Sequence, residues 1–405
     1  MSSPTRAEDA ARESAPGPAL DAWLPDVLSF VPGPGLDDLR RHFTLLLADR
    51  LGARLGDFTR LDCAAGARLA RRLGELPTDG FLRILVAPES IHRLLWPGLH
   101  EPQGVALFFE RAVEAERARS GLDFDLAAPT WTALGDARVG GGAEVAALKL
   151  EDFPAVVLGD PATRHPLAAP GGRDEARSSA SAEGDDQLVG DALALVASRL
   201  TDVRRRLAEP DPAVWAFTRD FSVTLVLRRG SGERAGFRSS SPERFVGRSI
   251  LWNPHLPEVS AADLAEALVH EAIHTVLDMA DALLSRGVPA GTRWVTDPGL
   301  YDGASRTVSP WTGRPLDVPT YVHGFLVWFG LLCFWSKALI GKSFDAATAR
   351  QRMIRAGAPF MNQTALAPLE PFIGAIRGDL LRLMRSIQDD VSADFRGVLG
   401  GGTPR

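Results

Sequence analysis

Cysteine is almost absent: Cys63 and Cys333 are the only two in 405 residues. Two thiols make neither a disulfide framework nor a thiolate cluster, so a bound metal has to rely on imidazoles and carboxylates. Both lie in apolar, helix-like stretches and read as core residues. Lysine is nearly missing too, occurring at 149, 337 and 342 alone, and the formal net charge of −6 is mild for this length. No basic field points to nucleic acid or to a membrane surface. The Ser-, Pro- and Ala-rich stretch from Met1 to Pro18 has no apolar stretch of the kind a secretory signal needs. The most apolar run, Phe325 to Trp335, is shorter than the roughly 18 residues required to span a bilayer, and Ser336 and Lys337 follow it directly. The expectation is a cytoplasmic protein with neither nucleic acid nor membrane as partner.

What is present is enough hydrophobic sequence, 45%, for a sizeable core. After a disordered start (1–20), Leu39, Phe43, Leu46, Leu47 and Leu51 recur at helical spacing, as do Leu69 with Leu73 and Ile91 with Leu94 and Leu95. Region 21–159 reads as helical with short strands near its end, at Leu148–Leu150 and Ala155–Leu158. Its histidines, His42, His92 and His100, read as surface or hydrogen-bonded core residues. The stretch 160–187 is crowded with Pro, Gly, Ser and charge and reads as a flexible linker. Region 188–395 carries an amphipathic helix (Leu188–Leu207), strands at Phe221–Leu227 and Ser249–Trp252, and further helices, before a disordered tail (396–405). The predicted fold class is α+β and mostly helical, with a metal-binding helix packed on a small sheet between helical N- and C-terminal parts.

That helix carries the chemistry. Ser260 is placed to cap it, Asp263 completes a capping-box-like pair, and Gly287 can end it. On it lies His270-Glu271-Ala272-Ile273-His274. Residues i and i+4 share a helix face, so both imidazoles can reach one ion at about 2.1 Å. Glu271 is close enough to act on a bound water or to steady a ligand. Leu268, Val269, Ile273, Val276 and Leu277 leave the helix little solvated surface, and an enclosed His pair needs a partner. Asp278, four residues past His274, is a candidate to fix its ring from behind.

The third ligand decides the reaction. Thr275 to Met279 lacks the Gly and His of a metzincin, no convincing downstream helical Glu marks a gluzincin, and the Thr292–Tyr301 loop has the wrong spacing for an aspzincin. The strongest candidate is His323, opening an apolar helix beside Gly324, which would permit close approach. Nine residues earlier Arg314 sits between Gly313 and Pro315 in Ser309-Pro-Trp-Thr-Gly-Arg314, a setting suited to bidentate capture of a carboxylate. A buried histidine held by a carbonyl, or an arginine paired on a loop, has the same local sequence.

Together these pieces resemble the HExxH-motif peptide β-hydroxylases of ribosomal peptide natural-product pathways, which depend on iron and α-ketoglutarate. The matching residues are Val269 to His274, Ser309-Pro310-Trp311 with Arg314-Pro315, and His323-Gly324 leading an apolar helix, with a similar Ser-rich segment from Ser239 to Asn253. The resemblance implies His270, His274 and His323 as ligands of Fe(II). It also implies Arg314 on the distal carboxylate of α-ketoglutarate, with Ser309 and Trp311 beside the co-substrate and Tyr321 behind the ligands. The implied reaction consumes O2 and hydroxylates a β-carbon in a precursor peptide. Three neutral histidines depart from the usual two-His, one-carboxylate set, which leaves the part of Glu271 open. The competing reading is a Zn(II) hydrolase with Glu271 as general base. A scaffold with a structural metal is disfavoured, since closed sites use four protein ligands.

Overall fold

The computed structural model describes residues 20–140, 148, 150–158, 186–230, 235–285, 294–296, 300 and 306–399. The expected helical periodicity materialises as α1 (Leu20–Leu28), α2 (Pro34–Leu61), α3 (Cys63–Gly74), α4 (Thr78–Leu85), α5 (Pro88–Leu95) and α6 (Pro102–Arg119). Proline stands in the first turn of α5 and α6, where no backbone N–H is needed. Asp62 caps α3 by accepting Ala65 N–H at 2.9 Å. Cys63, the residue just after that cap, is exposed, so it is not the core residue its neighbours suggested.

Two short strands, β1 (Thr130–Trp131) and β2 (Arg138–Val139), form an antiparallel pair, followed by β3 (Ala155–Val156). Leu148 and Leu150 are not in a strand, and Lys149 lies outside the described residues. So does most of the expected linker, of which only β4 (Asp186–Gln187) is described. The chain continues with α7 (Gly190–Ala208), α8 (Pro212–Phe221), β5 (Thr224–Arg229), β6 (Arg238–Ser240), β7 (Arg248–Trp252) and α9 (Ala261–Leu284). Then come β8 (Arg306–Val308), β9 (Pro315–Asp317), α10 (Val318–Ile340), α11 (Ala346–Met361), a 3-10 segment (Ala367–Ala375) and α12 (Gly378–Leu399). Residues 396–399, expected in a disordered tail, thus complete a helix. The fold is α+β and mostly helical.

The chain divides into two compact units. One, here the sheet unit, comprises Asp37–Leu283 and Gly330–Ile354; the other, the hairpin unit, comprises Met1–Leu36, Leu284–Phe329 and Arg355–Arg405. The sheet unit holds the strand order β3-β5-β7-β6, with β4 also on β5. β3, β5 and β7 run parallel and β6 antiparallel to β7. Side chains alternate faces along a strand, so Leu225, Leu227 and Leu251, all at most 1% exposed, cover one face. Val226, Ile250 and Trp252 form a cluster on the other. Gly247, just before β7, has φ +89°, and a Cβ there would meet Val223 Cγ2 at 2.8 Å, so glycine alone fits this entry to the strand.

In the hairpin unit, β8 and β9 pair antiparallel, and Trp311 in the turn between them lies in an aromatic cluster. Its ring stacks on Trp328 at 5.9 Å and meets Phe360 at 5.2 Å. α10 is long and apolar enough to cross a membrane by length and composition, but more than half of its most apolar window is buried within the protein. Phe325, Phe334 and Trp335 on it are at most 1% exposed, and Trp335 Nε1 donates to Glu266 at 2.7 Å. It is a core helix.

Candidate metal centre

The expected cap of α9 is present in full. Asp263 Oδ2 accepts from Ser260 N at 2.8 Å and from Ser260 Oγ at 2.6 Å, while Ser260 Oγ accepts from Asp263 N–H at 3.2 Å. Arg352 closes the arrangement from α11, pairing with Asp263 and with Glu266 at 3.1 Å. Burial works to raise the Asp263 pKa, yet the bonds from Ser260 and Arg352 hold it below its ordinary value. Ser260→Ala is expected to destabilise the sheet unit by about 1 kcal/mol, read as a lower urea midpoint. An unchanged midpoint would show that Arg352 alone fixes this helix end.

Ten residues into this anchored helix, His270 and His274 aim their Nε2 atoms at each other, 3.1 Å apart, with ring centroids 4.9 Å apart. Two nitrogens this close could both reach one ion at about 2.1 Å. Burial, then the neighbouring His270, pushes the His274 pKa down to about 3, so the ring stays neutral, as a ligand must be. Glu271 completes the group: donor atoms of His270, Glu271 and His274 all lie within 4.8 Å of one another.

Glu271 is 1% exposed. Burial pushes its pKa up to about 7, against the hydroxyls of Ser239 and Ser241, which hydrogen-bond to it and favour the charged form. Its Oε2 is nevertheless buried without a hydrogen-bond partner. An orphaned carboxylate oxygen beside two facing imidazole nitrogens is the arrangement a divalent cation satisfies. The donor set therefore fits a metal.

Asp278 follows on the same helix, and the remaining expected site residues belong to the other unit. Asp278 is buried, and its pKa is driven well above the ordinary value by burial and then by Asp281 and Glu271. The charges that act on it are thus carboxylates. His323, Ser309, Trp311, Arg314 and Tyr321 belong to the hairpin unit. His323 Nε2 accepts the indole N–H of Trp294, so coordination through this ring requires Nδ1 or release of the indole. Gly324 beside it has open space where a Cβ would stand, with no atom within 4 Å. Ser309 shapes the hairpin turn, its N–H donating to Arg314 O at 2.9 Å and its Oγ accepting from Thr312 N at 3.3 Å. Trp311 Nε1 donates to Ala356 O at 2.9 Å and Tyr321 Oη to Ala365 O at 2.6 Å. Arg314 is exposed on the turn, with no ion pair among the described residues.

No family model matches the chain, and no curated protein matches it. The functional reading therefore rests on the site's own chemistry. Sequence reasoning missed Ser239 and Ser241 as partners of Glu271, although the Ser-rich run on β6 was a visible signal. It also missed Trp294, whose link to His323 spans 29 residues and has no local signature.

Proposed function

We propose that the chain is a cytoplasmic Fe(II)- and α-ketoglutarate-dependent oxygenase that hydroxylates β-carbons in a ribosomally made precursor peptide. The observation that carries the reading is the facing His270–His274 pair with the buried carboxylate of Glu271 beside it, a donor set that a divalent cation fits. His270 and His274 would hold the metal, and the family resemblance adds His323 as the expected third ligand. Bound Fe(II) with its 2-oxo acid supplies O2-driven hydroxylation of an unactivated C–H bond. Arg314, exposed and without a carboxylate partner among the described residues, takes the distal carboxylate of the co-substrate in its planar fork. Glu271, buried beside the two imidazoles, would stand next to the metal and could accept a proton there. Leu268, Val269 and Ile273, each at most 1% exposed, exclude water from the helix flanks.

A second reading has its own support. A buried Glu directly beside the His pair is placed for general-base work on a metal-bound water, as in a Zn(II) peptide hydrolase. The two separate in one experiment. Protein loaded anaerobically with Fe(II) and then given α-ketoglutarate should develop the weak visible charge-transfer band of a chelated 2-oxo acid. The band should vanish in His323→Ala and weaken in Arg314→Ala. If no band forms, while zinc binds tightly and restores a peptidase activity that Glu271→Ala removes, the oxygenase reading fails and the hydrolase replaces it.

A further inference from the structure

β6 ends the strand order β3-β5-β7-β6, and among the described residues no strand pairs with its outer edge. The ladder tells which of its main-chain groups face that edge. Thr224 N–H donates to Gly247 O at 3.0 Å and Asn253 N–H to Arg228 O at 2.7 Å, so the odd-numbered residues of β7 bond to β5. Main-chain groups alternate sides along a strand. Ile250 and Trp252 therefore turn theirs to β6, where they meet Ser240 and Arg238. Ser239, opposite Leu251, directs its N–H and C=O away from the sheet. Neither group has a main-chain partner among the described residues, although Ser239 is half-buried. Such an edge is a template for another extended chain.

The side chain of Ser239 points to the metal helix. Its hydroxyl hydrogen-bonds to Glu271, and Ser241 Oγ, two residues on, lies 3.5 Å from Glu271 O. α9 thus lies against β6 on the Leu251 face of the sheet. A chain laid on the free edge would run past Ser239 beside Glu271. In antiparallel pairing a single residue exchanges both main-chain bonds with Ser239, at a Cα separation of about 5.5 Å, whereas a parallel strand needs two residues to do so. Paired residues point their side chains to the same face. The residue facing Ser239 therefore presents its β-carbon on the face where α9 lies. Its two neighbours point to the other face, beside Arg238 and Ser240, with Trp252 and Ile250 behind them.

We propose that β6 is the docking edge for the peptide substrate, an extended segment that adds antiparallel to it and sets the side chain facing Ser239 beside Glu271. This rests on the reading that the chain acts on peptides, and it singles out one residue of the segment for modification. The probe is the tightest binder selected from random, end-capped heptapeptides on the full chain loaded with Co(II). N-Methylation of its amides in turn should weaken binding at one position by about tenfold or more. The amides on either side should tolerate it, because their N–H groups point away from β6. On the protein, Ser239→Pro removes the outward N–H, a change an edge strand accommodates, while Ser239→Ala removes the hydroxyl alone. Both should bind Co(II) alike, with Ser239→Pro holding the peptide about tenfold more weakly than Ser239→Ala. Given Fe(II), α-ketoglutarate and O2, the residue hydroxylated should be the one whose N-methylation blocks binding. A scan without a single sensitive position, hydroxylation at another residue, or equal peptide affinity in the two variants overturns the docking edge. So does a library without binders. A peptide held in this register yet left unmodified keeps the edge and sinks the oxygenase reading instead.

Discussion

His270→Ala and His274→Ala are each expected to lower the affinity for Fe(II), or for Co(II) as a spectroscopic stand-in, by about 100-fold or more. Outer partners of metal ligands alone typically account for 10–100-fold, and these two residues are placed to contact the ion directly. The helix should survive either change. Its N-terminus is held by Ser260, Asp263 and Arg352, and its apolar flanks Leu268, Val269, Ile273 and Val276 are buried independently of the imidazoles. Far-ultraviolet circular dichroism should therefore be unchanged while metal binding collapses. Glu271→Gln gives the contrast: the carboxamide can still meet Ser239 and Ser241, so much of the affinity should remain. If His270→Ala binds metal as tightly as the unaltered chain, the facing nitrogens are a neutral N–H···N pair and the centre is not one. His255→Ala, remote in sequence from the motif, serves as the control and should change nothing.

What the sequence revealed of this centre, and what it concealed, follows from the range of the interactions involved. The i, i+4 histidines and the Ser260–Asp263 cap are local, their geometry set by the helix itself, and both are legible in the residue string. The strands β5 and β7 were legible because they are short apolar runs bounded by polar turns. The hydroxyls that hold Glu271 come from Ser239 on β6 and from Ser241 just after it, some thirty residues upstream, and it is the pairing of β6 on β7 that delivers them. The indole N–H on His323 comes from Trp294, in a loop whose sequence has no period to read. Hairpin turn and aromatic cluster likewise explain Ser309, Trp311 and Tyr321 by packing that single-residue patterns do not encode.

Glu89→Ala should be the most damaging single change in the sheet unit, at about 3–5 kcal/mol. Glu89 and Arg248 form an ion pair whose side chains are 1% and 4% exposed, far from the regime in which screening makes such pairs worth little. Removing the carboxylate strands two guanidinium groups, Arg93 and Arg248. Arg248→Ala should be milder, because Arg93 still neutralises Glu89. The double variant should lose less than the sum of the two, since the second change removes a charge that the first left unpaired. Urea unfolding of the three variants measures this ordering. A Glu89→Ala variant within 1 kcal/mol of the unaltered chain would mean that water already relieves the cluster.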